Sequence, residues 1–145
     1  MCSYQLSGQF TVNLPPAKAF RLFTARGEMD WVDGWQPRFP VSTEDDTVPG
    51  TVFETDAHGH RTTWIVVESR PPHRIRYAQV RHGERAGTVT VTLEERDGAT
   101  EVTVTYHLTP LTDAAGPELE HFAAGYPAFL AGWPEAIATR MDGRL

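Results

Sequence analysis

LEHFAAGYPAFLAGWPEAIATRM, residues 119–141, decides how the rest of the chain must fold. On an ideal wheel of about 100° per residue, Leu119, Phe122, Ala123, Tyr126, Leu130, Trp133, Ile137 and Met141 share one arc, as in a helix with a single apolar face. Glu118, Glu120, His121, Glu135 and Thr139 take the opposite side. Such a helix has to lay its aromatic side on something apolar, and nearly everything upstream reads as strand, so its partner is a sheet. Pro127 and Pro134 interrupt the pattern, each lacking an amide hydrogen and crowding the carbonyl four residues back. The helix is therefore expected to bend at or just before Pro127, with Tyr126 near the bend.

Upstream, residues 4–13 alternate Tyr4, Leu6, Gly8, Phe10 and Val12 with polar neighbours, the period of two that marks a half-buried strand. Pro15 and Pro16 end it, and Ala17, Phe20, Leu22 and Phe23 follow at helical spacing, predicting a short helix over 16–25 closed by Gly27. Residues 28–39 hold Met29, Trp31, Val32, Trp35 and Phe39 broken by Asp33-Gly34 and Pro37. They predict one short helical turn with two tryptophan anchors beneath the sheet. Strands are then expected at 41–44 (weak), 51–56, 61–69, 74–81, 85–96 and 100–109. The last two are joined by Asp97-Gly98, a strong hairpin signal. In that pair Val89, Val91, Leu93, Val102, Val104, Tyr106 and Leu108 form an inner face, and threonines form a solvated outer one. Gly116-Pro117-Glu118 reads as the cap and acidic first turn of the closing helix.

Composition narrows the functional classes. The 145 residues, 40% of them apolar, predict one domain spanning 1–145 with a substantial core. The single cysteine, Cys2, cannot form an internal disulfide or a cysteine metal motif, which fits a cytoplasmic protein or simple indifference to redox state. No stretch reads as a targeting or membrane-spanning segment, so no stable membrane insertion is expected. A formal charge of −6 argues against a nucleic-acid surface, and the arginines between Arg70 and Arg85 read as a solvated edge. Asp56, His58 and His60 could face one way, but a two-residue spacing in a glycine turn is a weak metal signal and reads as an exposed turn; no metal or cofactor is expected.

Several local motifs coincide: Leu14-Pro15-Pro16-Ala17 with Phe20, Trp31 with Gly34-Trp35, Gly50-Thr51 with Phe53, Trp64 and Val66 before Pro71-Pro72, Ile75 with Tyr77, and the closing Tyr126, Trp133 and Ile137. Together they resemble the START-like superfamily of polyketide cyclases/dehydrases and lipid carriers, also called SRPBCC, over essentially the whole chain. The resemblance implies an α+β helix-grip fold. A curved antiparallel sheet of six or seven strands would wrap a long C-terminal helix, two short helices would follow the first strand, and a hydrophobic cavity would lie between sheet and helix. It leaves function open, because members include lipid carriers, hormone receptors, cyclases, oxygenase domains and chaperone activators. Oxygenase-type iron ligands are not matched, since His121 alone lies near the helix, and on its outward side.

The resemblance places Trp35, Phe53, Trp64, Tyr77, Val91, Val104, Tyr106, Phe122, Tyr126 and Leu130 around the cavity. Tyr77, Tyr106 and Tyr126 are the strongest ligand contacts, because a buried tyrosine carries a polar tip that needs a partner. The faces of the strands bearing Phe53 and Trp64 stay open, since both sides are apolar. The expected function is binding of a small hydrophobic molecule. The alternatives are a cyclase/dehydratase using a cavity tyrosine with Glu68 or Arg85, and a chaperone-activating module. By alternation Glu68 falls on the Trp64 side near the strand's end, where it reads first as an exposed carboxylate, and Arg85 could meet an anionic ligand group at the rim. A homodimer is compatible with all three readings.

Overall fold

The computed structural model describes residues 2–142, apart from the side chains of His58 and Asp142. Where polar and apolar residues alternate, the chain is extended: β1 (Tyr4–Val12), β2 (Val52–Thr55), β3 (Thr62–Arg70), β4 (Arg74–Arg81), β5 (Arg85–Arg96) and β6 (Ala99–Pro110). They form one antiparallel sheet in the order β1-β6-β5-β4-β3-β2. Asp97 and Gly98, with φ of 52° and 82°, make the tight turn between β5 and β6. The threonine face is outward: Ser7 and Thr105 hydroxyls meet at 3.0 Å, and Gln9 donates to Thr103 at 3.1 Å.

The expected short helix divides in two. Pro16–Ala19 is α-helical (α1) and Phe20–Phe23 continues as a tighter 3-10 turn. Gly27 opens a second such turn, Gly27–Asp30, rather than closing the first. The intervening backbone is held by aromatic side chains: Trp31 Nε1 donates to the Leu22 carbonyl at 2.8 Å, Tyr77 Oη to Phe23 at 2.8 Å, and Trp35 Nε1 to Ala25 at 2.7 Å. Both tryptophans thus anchor the segment through their polar tips.

The weak strand expected at 41–44 does not form, and the sheet has six strands. The carbonyls of Thr43 and Glu44 are taken instead by the Arg26 guanidinium, while Asp46 accepts the Arg26 amide hydrogen at 2.8 Å. A side chain therefore satisfies backbone groups that a neighbouring strand would otherwise have paired.

The C-terminal helix is interrupted, as its sequence predicts, by Gly125 between α2 (Gly116–Ala124) and α3 (Tyr126–Asp142). Pro117 lies in the first turn of α2, Pro127 in the first turn of α3, and Pro134 inside α3. Leu119, Tyr126, Leu130 and Ile137 are buried and enter the main core. Gly8 of β1 permits the approach, because a Cβ there would lie 2.5 Å from a Leu130 methyl. The helix therefore sits on the β1 side of the sheet, and the space beside it opens toward β3, β4 and β5.

Candidate functional site

Antiparallel register lays the inner face of the sheet out in rows. Ile75 opposes Val91, which opposes Val104; Val66, Tyr77, Val89 and Tyr106 form the next row; Trp64, Gln79 and Gly87 the next; and Arg81 with Arg85 the last. Polarity rises along the strands, from an aliphatic floor through aromatic rings to two guanidinium groups. A cavity of about 640 Å³ lies over these rows. Its second wall is the 27–35 segment, with Glu28, Trp31, Val32 and Trp35, and its third is the helix, with Phe122, Phe129, Gly132, Trp133 and Ala136.

Six of the ten residues expected around the cavity lie in its wall: Trp35, Trp64, Tyr77, Val91, Tyr106 and Phe122. Phe53, Val104, Tyr126 and Leu130 do not. Phe53 is buried behind Trp64, its ring stacked at 5.9 Å. Val104 and Leu130 belong to the solid core between helix and sheet. Tyr126 begins α3 as expected, but it points to the sheet and donates its hydroxyl to the Val104 carbonyl at 2.8 Å. The single apolar arc of the wheel thus splits, with Leu119, Tyr126, Leu130 and Ile137 on the sheet and Phe122 and Trp133 on the cavity, where Phe129 and Ala136, which the arc had left out, join them.

Glu68 is also corrected. A β-bulge between Val66 and Glu68 shifts the register, so Glu68 opposes Arg76 on the outer face and pairs with Arg74 and Arg70. These arginines hold its carboxyl below the usual range, Arg74 foremost through its hydrogen bond. Among the described residues no cluster of histidine, cysteine or carboxylate side chains could hold a metal. His58's side chain lies outside them, and His60 pairs with Glu84 at 3.2 Å.

A few polar side chains give the cavity its chemistry. Glu28 has no cation in ion-pair range among the described residues, and burial raises its carboxyl well above the ordinary value. The Tyr106 hydroxyl makes no hydrogen bond with any described residue, and burial raises its pKa. Tyr77's rises similarly, but that hydroxyl is committed to Phe23. Arg81 donates through Nε to Thr62 at 3.0 Å. Arg85 lies over the Phe122 ring, 4.7 Å from its centroid, and desolvation first, then Arg81, lowers its pKa to about 10, which leaves it charged at neutral pH.

Gln79 is 2% exposed, and neither amide atom has a partner. The sequence does carry a signal for Gln79 and Arg81, because alternation from Tyr77 puts positions 79 and 81 on its face. No comparable signal marks Glu28, which enters from an irregular turn.

A family model described as "Activator of Hsp90 ATPase homolog 1-like protein" matches residues 13–145. No curated protein matches the chain in sequence. Among solved structures, protein MLL2253 from Mesorhizobium loti superposes with a TM-score of 0.70 at 16% identity, over 94% of this chain and 98% of that one. Ara h 8.0201 gives 0.70 at 16% identity over 97% and 99%. The Aha1 dimer from Colwellia psychrerythraea gives 0.63 at 16% identity over 92% and 95%. At such identities the likeness is one of fold.

Proposed function

The chain belongs to the Activator of Hsp90 ATPase homolog 1-like family within the START-like, or SRPBCC, superfamily, and from that premise we propose that it binds a small, largely apolar molecule between its sheet and C-terminal helix. The observation that carries this reading is the cavity itself. Its volume of about 640 Å³ falls within the range of small-molecule sites, and its walls are aromatic and aliphatic with a few converging polar groups. Titration with the neutral dye Nile red tests it: saturable, blue-shifted emission at one dye per chain is expected. No emission change, together with no co-purifying small molecule in native mass spectrometry, would overturn it.

A second reading, an enzyme of the cyclase/dehydratase type, is favoured by Glu28 and Tyr106. A carboxyl whose pKa is raised by burial suits proton donation, and a tyrosine hydroxyl without a partner among the described residues can orient a carbonyl. This reading gives no role to Tyr77 and Tyr126, whose hydroxyls donate to backbone carbonyls, or to Glu68 on the outer face. In this reading Glu28→Gln abolishes turnover of an aromatic or polyketide-like carbonyl substrate while binding persists.

The family description names activation of a chaperone ATPase, and the outward strip of Val52, Ile65 and Val67 at the sheet edge is a surface such an interaction module or a homodimer could use. Sedimentation and a chaperone pull-down separate those two uses. No helix among the described residues is long and apolar enough to cross a membrane. Cys2 is free and exposed, and a cytoplasmic location belongs to the same proposal.

A further inference from the structure

We infer that the ligand is an organic carboxylate, its apolar body among Trp35, Trp64, Tyr77 and Val91 and its anionic head against Arg81, Arg85 and Gln79. The inference rests on the cavity being a binding site and names the ligand's chemistry there. Arg85 makes no hydrogen bond and no ion pair with any described residue, and its Nε is enclosed without a partner. A guanidinium carries five N–H donors and accepts nothing, so only an acceptor can satisfy it. Arg81 stands opposite in register, and apart from its Nε bond to Thr62 it is uncommitted.

Two like charges side by side repel, and burial costs each of them hydration, so the pair gains nothing as a structural element. Glu84 and Glu118 act on both from a distance, but neither lies within ion-pair range of them, and Glu84 is held by His60. Gln79 adds a second, independent mark. Both its amide atoms are cut off from solvent and unpartnered in the same wall, one row from the arginines, and the opposing Gly87 has no side chain that could serve them. Buried polar groups left unpaired are rare and costly, whereas a bound carboxylate would accept from the guanidinium forks and the amide together.

The row order sets the ligand's direction. The aliphatic and aromatic rows take the body, and the arginine row takes the head. Arg85 sits over the Phe122 ring, and none of its N–H groups is taken by a described residue, so they are left for the ligand's head.

The test compares naphthoate with its neutral isostere naphthamide, by calorimetry on the full chain. The acid is expected to bind at least about tenfold more tightly than the amide, with the preference shrinking as salt is raised. In Arg85→Gln the acid-to-amide ratio is expected to fall toward one, and Arg85→Lys should restore part of it; Arg81→Gln provides the same readout should Arg85→Gln not fold. Tight binding of both compounds with a ratio near one would overturn the carboxylate inference and keep the cavity reading. Failure of both compounds to bind would overturn the two together. A ratio unchanged in folded Arg85→Gln and Arg81→Gln would place the acid elsewhere and also overturn the inference.

Discussion

Glu28 is the residue at which burial and charge conflict most directly. Its carboxyl lines a largely apolar cavity without a counter-ion among the described residues, and burial there raises its pKa. A carboxyl elevated on folding contributes stability that is fully present below its unfolded value and is lost as pH rises through the folded one. Glu28→Gln should accordingly match the wild type at acid pH and be the more stable of the two at pH 8. Urea unfolding at the two pH values checks this, and equal stability at both would refute it. The tyrosines give a second contrast. Tyr77→Phe strands the buried Phe23 carbonyl and should cost about 1–2 kcal/mol, whereas Tyr106→Phe removes a hydroxyl with no described partner and should cost under about 0.5 kcal/mol. Alternation made Tyr106 legible as an inward residue and the resemblance placed Tyr77 beside it, but neither could tell which hydroxyl had a backbone acceptor, because Phe23 lies 54 residues away in sequence.

At the scale of the element, periodicity is reliable until one residue breaks it. The strands bearing Tyr77, Val89 and Tyr106 keep an unbroken period of two, and their inner faces could be read from the sequence. In β3 the bulge after Val66 adds one residue, which sends Glu68 to the outer face, and nothing in Val66-Val67-Glu68 announces it. The helix is the converse case. Its interruption was legible from Pro127, although the break itself falls on Gly125, while the division of its apolar arc between core and cavity depends on where the sheet curls away. Two glycines separate close approach from mere flexibility. A Cβ at Gly87 would lie 1.8 Å from the His107 carbonyl oxygen, so Gly87→Ala must push β5 off β6 and should cost more than about 3 kcal/mol. At Gly125, with φ of −89° and ψ of 1°, a Cβ meets only ordinary contacts, and Gly125→Ala should be neutral or stabilising by up to about 1 kcal/mol. Thermal unfolding of the two variants tests the contrast, and a Gly87→Ala protein as stable as the wild type would contradict the close approach.

Across the whole molecule, the solid core and the cavity are alternatives for the same inner surface. Leu93, Val102, Val104, Leu119 and Ile137 are packed to near-complete burial at one side, while Tyr106, Phe122 and Trp133 border open volume at the other. A domain that leaves such a volume forgoes packing energy it could have had, and a ligand bound only to the folded state returns stability by mass action. Gly132 allows the two uses to be traded experimentally. It lies in the cavity wall within α3, and a Cβ there meets nothing within 4 Å. Gly132→Ala should gain about 0.5–1 kcal/mol from helix propensity alone and leave Nile red binding within about twofold. Gly132→Leu makes a similar helical gain, adds apolar contact with Phe129 and Trp133, and occupies the space a ligand needs. It should raise the melting temperature without ligand, weaken dye binding at least about tenfold, and abolish the ligand-induced rise in melting temperature expected for the wild type and for Gly132→Ala. If Gly132→Leu instead binds as well as Gly132→Ala, the dye sits on the outer surface, and the space between sheet and helix is a packing defect rather than a site.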